Sequence, residues 1–431
     1  MLPLLFGLLY ISFTWRTPQF SAYRWLVGSL FVLVTLLLLS AASLLLRNTV
    51  AKPDGFRRLI KAGAALSLAA LLIFLGREFQ FQWMRYTVLN VAPETLSRFG
   101  RHIVVGFRSP AFAEELIARK GVAGIFITAH NVEGEDAATI RAMLEKFQTL
   151  QRTKGGQALW IATDQEGGRV SRMTPPLAAQ PSLGEVVGQH ASDGSLEAAI
   201  RNYGQTQGTA LAALGINLNF APVVDINYHI VNQADRYTRI YQRAISSDPR
   251  MVEHVAGWYC EALYASGVRC TLKHFPGLGR VATDTHLDSA KLTVAPTELA
   301  QSDWLPFKAL MQGGQPPFTM LSHVQLAALD ATEPVSTSKP VVDNLLRKQW
   351  GYDGVLITDD FSMAAISQRQ GGIGAATINA LNAGVDLILI SFDPEQYYPA
   401  MYSLLQAERD GTIDEAMLER SNKRLSDIVI P

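Results

Sequence analysis

The sequence predicts an α/β fold, a (β/α)8 TIM-type barrel preceded by two or three transmembrane helices. Two observations support this prediction. Long apolar runs crowd into residues 1–86, and short β-branched runs alternate with helical stretches over residues 87–431. We therefore expect a transmembrane anchor region over 1–86 and a barrel domain over 87–431.

The anchor region contains three apolar runs. Residues 25–46 carry no charge and lie between Arg24 and Arg47, and at about 1.5 Å per residue they cover the roughly 30 Å hydrocarbon core of a bilayer. Further spans are predicted at about 2–15 and 62–76. The first of these lacks the basic start and the cleavage site of a signal peptide, and the second has a buried core helix as its alternative.

The charges between these runs predict the topology. Residues 47–61 contain five Lys and Arg residues, compared with two in residues 16–24, so the positive-inside rule puts the later loop in the cytoplasm. Three spans then carry the barrel to the other side, whereas two spans leave it in the cytoplasm. We expect a protein anchored in the inner or plasma membrane, with the lipid bilayer as a partner and an extracytoplasmic barrel domain.

Eight β-branched runs predict the barrel strands, and helical stretches such as 113–120 and 198–214 lie between some of them. The runs begin at Ile103, Gly124, Leu159, Leu218, Cys270, Phe318, Gly354 and Asp386. Active sites of such barrels lie at the carboxyl ends of the strands, so polar residues there are site candidates. Those residues are Asp164, Asp225, Lys273, His274, His323, Asp359 and Asp360.

The composition excludes some classes of function. Lys plus Arg and Asp plus Glu both number 38, so no basic field exists to recruit nucleic acid. Cys260 and Cys270 show neither metal-ligand spacing nor a disulfide framework, and we expect two buried thiols. No metal site and no organic cofactor are expected.

Five stretches of sequence carry a family resemblance. They are DQEGGRVSR from Asp164, LNFAPVVDIN from Leu218, QRAISSDP from Gln242, KHFPGLGRVATDTH from Lys273 and ITDDFSM from Ile357. Their order and spacing over about residues 98–431 resemble the bacterial β-N-acetylglucosaminidases (β-hexosaminidases) of glycoside hydrolase family 3, single-barrel type. The resemblance implies a retaining exo-acting enzyme that removes terminal β-linked N-acetylglucosamine from cell-wall (peptidoglycan) or chitin-like saccharides.

Retaining hydrolysis requires a carboxylate nucleophile and a proton donor. The resemblance implies that Asp359 is the nucleophile, which forms a covalent glycosyl-enzyme, and that Asp284 and His286 are an acid/base dyad. The residue chemistry agrees, because a histidine can donate a proton when charged and accept one when neutral, while a neighbouring carboxylate fixes its tautomer. A spacing of two residues in a turn lets this contact form locally.

Strand parity separates the two adjacent carboxylates. Val355, Ile357 and Asp359 share one face of the seventh strand, and β-branched residues suit a barrel lumen. Asp360 falls on the opposite face, so we interpret it as a cap or turn residue. His323 is interpreted as a core histidine.

The resemblance also implies a pocket for a terminal N-acetylglucosamine. Asp164 and Lys273 are suited to charge-assisted bonds with the sugar hydroxyls. The residues that the resemblance implies for this pocket are Asp164, Arg172, Arg243, Lys273 and His274.

Three departures from the family pattern leave alternatives open. Leu278 stands where the family usually has His, Arg280 stands where it usually has Asp, and residues 227–241 form a longer loop than usual. We expect an ordinary surface loop there, with an enlarged rim of the leaving-group pocket as its alternative. Arg280 keeps open a β-N-acetylglucosaminide phosphorylase, since a neutral histidine does not repel phosphate. Both substitutions also keep open a catalytically silent wall-binding module.

Overall fold

The computed structural model describes residues 2–47, 54–190 and 194–430. The chain divides into two compact units, Met1–Asn90 and Val91–Pro431. Part of the basic segment 47–61, on which the predicted topology depends, lies outside the described residues.

The first unit is helical. Its helices are α1 (Leu2–Thr14), α2 (Arg24–Arg47) and α3 (Asp54–Asn90), and a short 3-10 segment, Pro18–Tyr23, precedes α2. Two helical segments, Pro18–Arg47 and Asp54–Asn90, are long and apolar enough to cross a membrane, whereas α1 is shorter.

Aromatic side chains hold these helices together. The ring of Phe74 in α3 lies 4.5 Å from the rings of both Trp15 and Phe31. Gly28 makes room for this packing, because a Cβ atom there would lie 3.2 Å from the Trp15 ring. Many large apolar side chains of α2 and α3 remain exposed. Since exposed leucines in water are unfavourable, these faces are suited to an apolar solvent.

The second unit is a closed barrel of eight parallel strands, which confirms the predicted fold and all eight predicted strands. Each strand pairs with the next along the chain, and the eighth pairs with the first. The strands are β1 (Ile103–Val105), β2 (Gly124–Ile127), β3 (Trp160–Thr163), β4 (Leu218–Asn219), β5 (Arg269–Phe275), β6 (Phe318–Leu321), β7 (Leu356–Asp360) and β8 (Leu387–Ile390).

Helices connect consecutive strands and surround the barrel, as parallel pairing requires. The principal helices of this unit are Pro93–Gly100, Pro110–Ala118, Ala137–Thr153, Leu183–His190, Leu196–Leu214, Pro249–Ala265, Trp304–Met311, Pro340–Gln349, Gly372–Ala383, Tyr397–Arg409 and Glu415–Asp427. Local sequence explains their ends. Asp136 caps the third of them by accepting the Thr139 N–H at 2.8 Å, and Gly215 ends the fifth with a φ of 92°.

The lumen of the barrel is an apolar core rather than a pore. Val355 and Ile357 belong to it, as strand parity predicts, and the C-terminal residues Leu425, Ile428 and Ile430 pack against it. Alternate residues of the strands supply the other members. They are Val104, Phe126, Trp160, Ala162, Leu218, Phe220, Phe318, Met320, Leu387 and Leu389.

The prediction of two free thiols is wrong. Cys260 lies in helix Pro249–Ala265, Cys270 lies in β5, and the two form a disulfide with Cα atoms 5.4 Å apart. The physical reason is the short turn between that helix and β5, which packs the last turns of the helix directly against the strand that follows. The Cα separation is one that a disulfide bridges without backbone movement.

Candidate active site

The predicted catalytic and binding residues follow four of the barrel strands at their carboxyl ends. Asp164 follows β3 directly, Lys273 and His274 lie near the end of β5, and Asp359 lies near the end of β7. Asp284 and His286 lie in the loop after β5, and Arg243 ends a short helix, Ile240–Arg243, in the loop after β4. The fold therefore brings these side chains to one end of the barrel.

Four charged side chains, Asp164, Glu166, Arg243 and Lys273, form what we call the floor cluster. Lys273 Nζ donates to Asp164 Oδ1 at 2.6 Å and lies 2.7 Å from Glu166 Oε1. Arg243 binds Glu166 through two bonds, from Nε at 2.9 Å and from Nη2 at 2.7 Å. Both cations are almost fully buried, so each needs the carboxylates that it contacts.

Electrostatics fix the charges of this cluster. Burial alone would raise the pKa of Glu166, but the charges of Arg243 and Lys273 hold that pKa well below its ordinary value. Burial alone would lower the pKa of Arg243, but Glu166 holds it above its ordinary value. Glu166 therefore stays ionised and fixes both cations in place.

Glu166 was not among the residues predicted from the sequence, and Asp225 was predicted only as a candidate at a strand end, without a role. His274 Nδ1 donates to Asp225 Oδ2 at 2.7 Å, and the backbone N–H groups of His274 and Leu278 donate to Oδ1 of the same carboxylate, at 3.1 and 2.8 Å. The signal that could have revealed Glu166 was charge balance, because Asp164 alone does not neutralise both Lys273 and an arginine in a buried pocket.

Asp359 is partly buried and lies among histidines. Burial alone would raise its pKa, but the charges of His274, His323 and His286, together with the Asp360 N–H, hold the pKa below its ordinary value. Asp359 is therefore a carboxylate at neutral pH.

The Asp360 side chain points to the face of β7 opposite to that of Asp359, as strand parity predicts. Its carboxylate accepts the N–H groups of Ser362 and Phe392, and both the N–H and the hydroxyl of Ser391, at 2.6 to 2.9 Å. Asp360 is the last residue of β7, and these bonds confirm the interpretation as a cap residue. Both ring nitrogens of His323 have hydrogen-bond partners within the core: Nδ1 lies 2.8 Å from Ser336 Oγ, and Nε2 lies 3.0 Å from the Asp360 carbonyl. Burial lowers the pKa of His323.

Asp284 and His286 are in direct contact within residues 277–289, which we call the acid/base loop. His286 Nδ1 donates to Asp284 Oδ1 at 3.0 Å, and the His286 ring is 40% exposed while Asp284 is buried. Burial would raise the pKa of Asp284, but the bonds from His286 and from the Tyr237 N–H hold it well below its ordinary value. Nε2 of His286 is therefore the nitrogen available to a substrate.

Two glycines let the acid/base loop run close to its neighbours. A Cβ atom on Gly279 would lie 1.8 Å from the carbonyl oxygen of Ile226, so no other residue fits this contact. Gly277 has a φ of 113°, which favours glycine. The backbone of Ala364, shortly after β7, donates to the His286 carbonyl at 3.1 Å and links this loop to the strand that carries Asp359.

Arg280 and Arg172 do not join the floor cluster. Arg280 Nε donates to Asp303 Oδ2 at 2.8 Å, its Nη1 lies 2.8 Å from Glu298, and its guanidinium lies 4.3 Å from the Tyr228 ring. Arg172 is exposed, and its backbone N–H donates to the Asp164 carbonyl at 3.0 Å.

Together these groups provide a carboxylate and a carboxylate-backed imidazole beside a cluster rich in hydrogen-bond donors and acceptors. Among the described residues no group of His, Cys, Asp and Glu forms a metal site. This set can attack an electrophilic carbon, donate a proton and bind a polyhydroxylated ligand.

Comparisons with known proteins agree with this chemistry. The family model of the glycosyl hydrolase family 3 N-terminal domain matches residues 97–428. The β-hexosaminidase of Xanthomonas euvesicatoria pv. vesicatoria is 34% identical over 289 residues, which is 67% of this chain and 81% of that protein. Beta-hexosaminidase A of Pseudoalteromonas piscicida is 31% identical over 74% of this chain, and the match spans about half of that relative, 54%.

A solved structure agrees as well. The structure of LpqI from Mycobacterium tuberculosis has 32% sequence identity and a TM-score of 0.66, and the match covers 77% of this chain and 92% of that one. The enzyme class predicted from the motifs, a glycoside hydrolase, is confirmed. The chain belongs to glycosyl hydrolase family 3, in the group whose curated members include β-hexosaminidases.

Proposed function

We propose that this protein is a retaining exo-β-N-acetylglucosaminidase that removes terminal β-linked N-acetylglucosamine from cell-wall (peptidoglycan) or chitin-like saccharides. The observation that carries the proposal is the 3.0 Å contact between Asp284 and His286 near the carboxylate of Asp359. The names of the β-hexosaminidase relatives support the same substrate class.

In the first step, the Asp359 carboxylate attacks the anomeric carbon while His286 Nε2–H protonates the glycosidic oxygen, which leaves with its bonding electrons. The product is a glycosyl ester on Asp359. In the second step, neutral His286 takes a proton from a water molecule whose oxygen attacks the anomeric carbon and releases Asp359. Asp284 stays ionised throughout, since its five hydrogen-bond donors favour the carboxylate form.

The floor cluster is proposed to bind the terminal sugar. Asp164 is partly exposed while Lys273 is buried beneath it, so the free lone pairs of Asp164 are available to sugar hydroxyls. Arg243 and His274 would extend this surface, since Arg243 Nη2 lies 3.5 Å from His274 Nε2. Arg172 is proposed to reach the sugar from the exposed rim.

We further propose that α2 and α3 anchor the protein in a membrane, with α1 as a shorter third span and the barrel outside the cytoplasm. The exposed leucines of α2 and α3 support the anchor. Within the helical unit, Arg16 Nε donates to Glu78 Oε2 at 2.8 Å. This bond joins the loop before α2 to the residues of α3 that directly follow its apolar part. The Cys260–Cys270 disulfide supports an oxidising compartment.

The nucleophile is tested with Asp359→Ala. We expect the full-length protein to release 4-nitrophenol from 4-nitrophenyl N-acetyl-β-D-glucosaminide, and the variant to lose this activity. Asp353→Ala is a matched control, because the Asp353 side chain is 81% exposed and lies 3.3 Å from Arg424. Undiminished turnover by Asp359→Ala would overturn the assignment.

Arg280 gives the phosphorylase alternative no free cation for phosphate, because its guanidinium is paired with Asp303 and Glu298, and the neutral histidine is what keeps that alternative open. The products in phosphate buffer separate the two reactions. A hydrolase gives free N-acetylglucosamine, whereas a phosphorylase gives the sugar 1-phosphate.

The side of the membrane is tested by protease digestion of cells with a permeable outer envelope and an intact inner or plasma membrane. We expect the barrel to be digested in these cells and equally in lysed ones. Protection of the barrel until lysis would place it in the cytoplasm and contradict the proposal.

A further inference from the structure

A tight turn in the loop after β4 contacts the acid/base dyad from outside the acid/base loop. We call this turn, Asp235–Arg239, the clamp turn. The backbone N–H groups of Arg236 and Tyr237 each donate to Asp284 Oδ2 at 3.0 Å, and Thr238 Oγ1 donates to Asp284 Oδ1 at 3.1 Å. The long segment 227–241 is therefore more than the ordinary surface loop that its sequence suggests.

The hydroxyl of Thr238 and the ring of His286 share one oxygen. Asp284 Oδ1 accepts from Thr238 Oγ1 at 3.1 Å and from both the backbone N–H and Nδ1 of His286 at 3.0 Å. Thr238 and Asp284 are only 4% and 5% exposed, so water does not replace the hydroxyl easily. Each donor on Oδ1 withdraws electron density and weakens the bonds that the other donors make to it.

The clamp turn holds its shape without the Thr238 side chain. The Asp235 carboxylate accepts the N–H groups of Thr238 and Arg239 at 2.9 and 2.7 Å. The Thr238 carbonyl accepts Arg243 Nη1 at 2.7 Å, which ties the turn to the floor cluster. Removal of the hydroxyl alone therefore leaves the backbone of the turn in place.

We propose that Thr238 is a positioning residue for the acid/base dyad, whose hydroxyl competes with His286 for Asp284 Oδ1 and so limits how tightly Asp284 holds the imidazolium. The inference rests on the proposed function, since it assigns His286 the role of proton donor. A histidine held too tightly as the imidazolium would donate its proton poorly, and one held too loosely would not be charged when the substrate binds.

Other charged and aromatic groups also face His286, and a substitution of Thr238 leaves these groups unchanged. Asp284 is on its own loop, and the Tyr237 ring of the clamp turn lies 5.3 Å from the His286 ring. Asp359 of β7 and His323 after β6 interact with it through their charges. A change at Thr238 therefore alters one bond in an otherwise unchanged environment.

The test is Thr238→Val in the full-length protein, with Thr238→Ser as the matched control that keeps the hydroxyl. Proton NMR of the imidazole rings, with the His286 signal identified by its loss in His286→Gln, follows the protonation of this ring with pH. We expect the ring of the valine variant to lose its proton at a pH roughly half a unit higher than in the wild type. The serine variant should titrate as the wild type does.

The kinetics give a second readout. In Thr238→Val the alkaline limb of the pH profile of kcat/KM for the nitrophenyl glycoside should also move to higher pH, with KM nearly unchanged. A titration of His286 that is unchanged or moves to lower pH in the valine variant would overturn the inference. If the wild type hydrolyses no hexosaminide, the proposed function fails, while the NMR titration still decides the role of Thr238.

Discussion

The floor cluster and the acid/base loop each hold a buried carboxylate beside the proposed sugar site, but by different means. Glu166 in the floor cluster is held by the charges of Arg243 and Lys273. Asp284 in the acid/base loop is held by three backbone N–H groups, a hydroxyl and the His286 ring. The first arrangement relies on full charges, and the second relies mostly on neutral dipoles.

This difference suits two tasks. Full charges in a buried site fix geometry strongly, because leaving any one of them unpaired is costly. The neutral donors favour the ionised form of Asp284 without adding a second cation beside His286, whose proton leaves and returns in the proposed reaction. The floor cluster is therefore suited to the proposed binding of the sugar, and the acid/base loop is suited to the proposed proton transfer.

The largest expected effect comes from the acid/base loop. His286→Ala should lower kcat/KM for the nitrophenyl glycoside by about 10²- to 10⁴-fold, the usual contribution of a general acid or base. The melting temperature should change little, because the ring is 40% exposed. Activity assays and thermal unfolding of the same preparation measure both quantities.

His254→Ala is the matched control for that variant. His254 is exposed on helix Pro249–Ala265, with its ring 5.7 Å from the Trp258 ring. It should retain wild-type activity. Equal activity losses in the two variants would remove the contrast between the acid/base loop and the rest of the surface.

Substitution of Glu166 in the floor cluster should mainly lower the free energy of unfolding. Glu166→Ala leaves Arg243 and Lys273 short of a partner, and we expect a loss of about 3–5 kcal/mol in the free energy of unfolding. Glu261→Ala is the control, because Glu261 forms an exposed ion pair with Arg201. That change should cost less than about 1 kcal/mol. Denaturant unfolding of both variants gives the comparison, and equal losses would mean that the buried cluster contributes no more than a surface pair.

How much of the fold and of the candidate site could be predicted from the sequence depends on how far apart the interacting residues lie along the chain. The Asp284–His286 contact joins residues two apart, and strand parity alone separates Asp359 from Asp360. Glu166 meets Arg243 across 77 residues, and Thr238 meets Asp284 across 46. No periodicity encodes such contacts, because they arise only when the loops after β3, β4 and β5 meet at one end of the closed barrel.

The smallest expected effect is in the pH dependence of stability, where the two regions should differ in their pH window. The pKa of Glu166 lies below its ordinary value of 4.5 and that of Asp284 below its ordinary value of 3.8. A carboxyl group with a lowered pKa in the folded state stabilises the fold above its unfolded pKa, and this contribution is lost as the pH falls towards the folded pKa. The melting-temperature gap between the wild type and Glu166→Gln should therefore shrink below about pH 4.5, whereas the gap for Asp284→Asn should persist to about pH 3.8. Gaps that widen as the pH falls would contradict the ionised state assigned to both carboxylates.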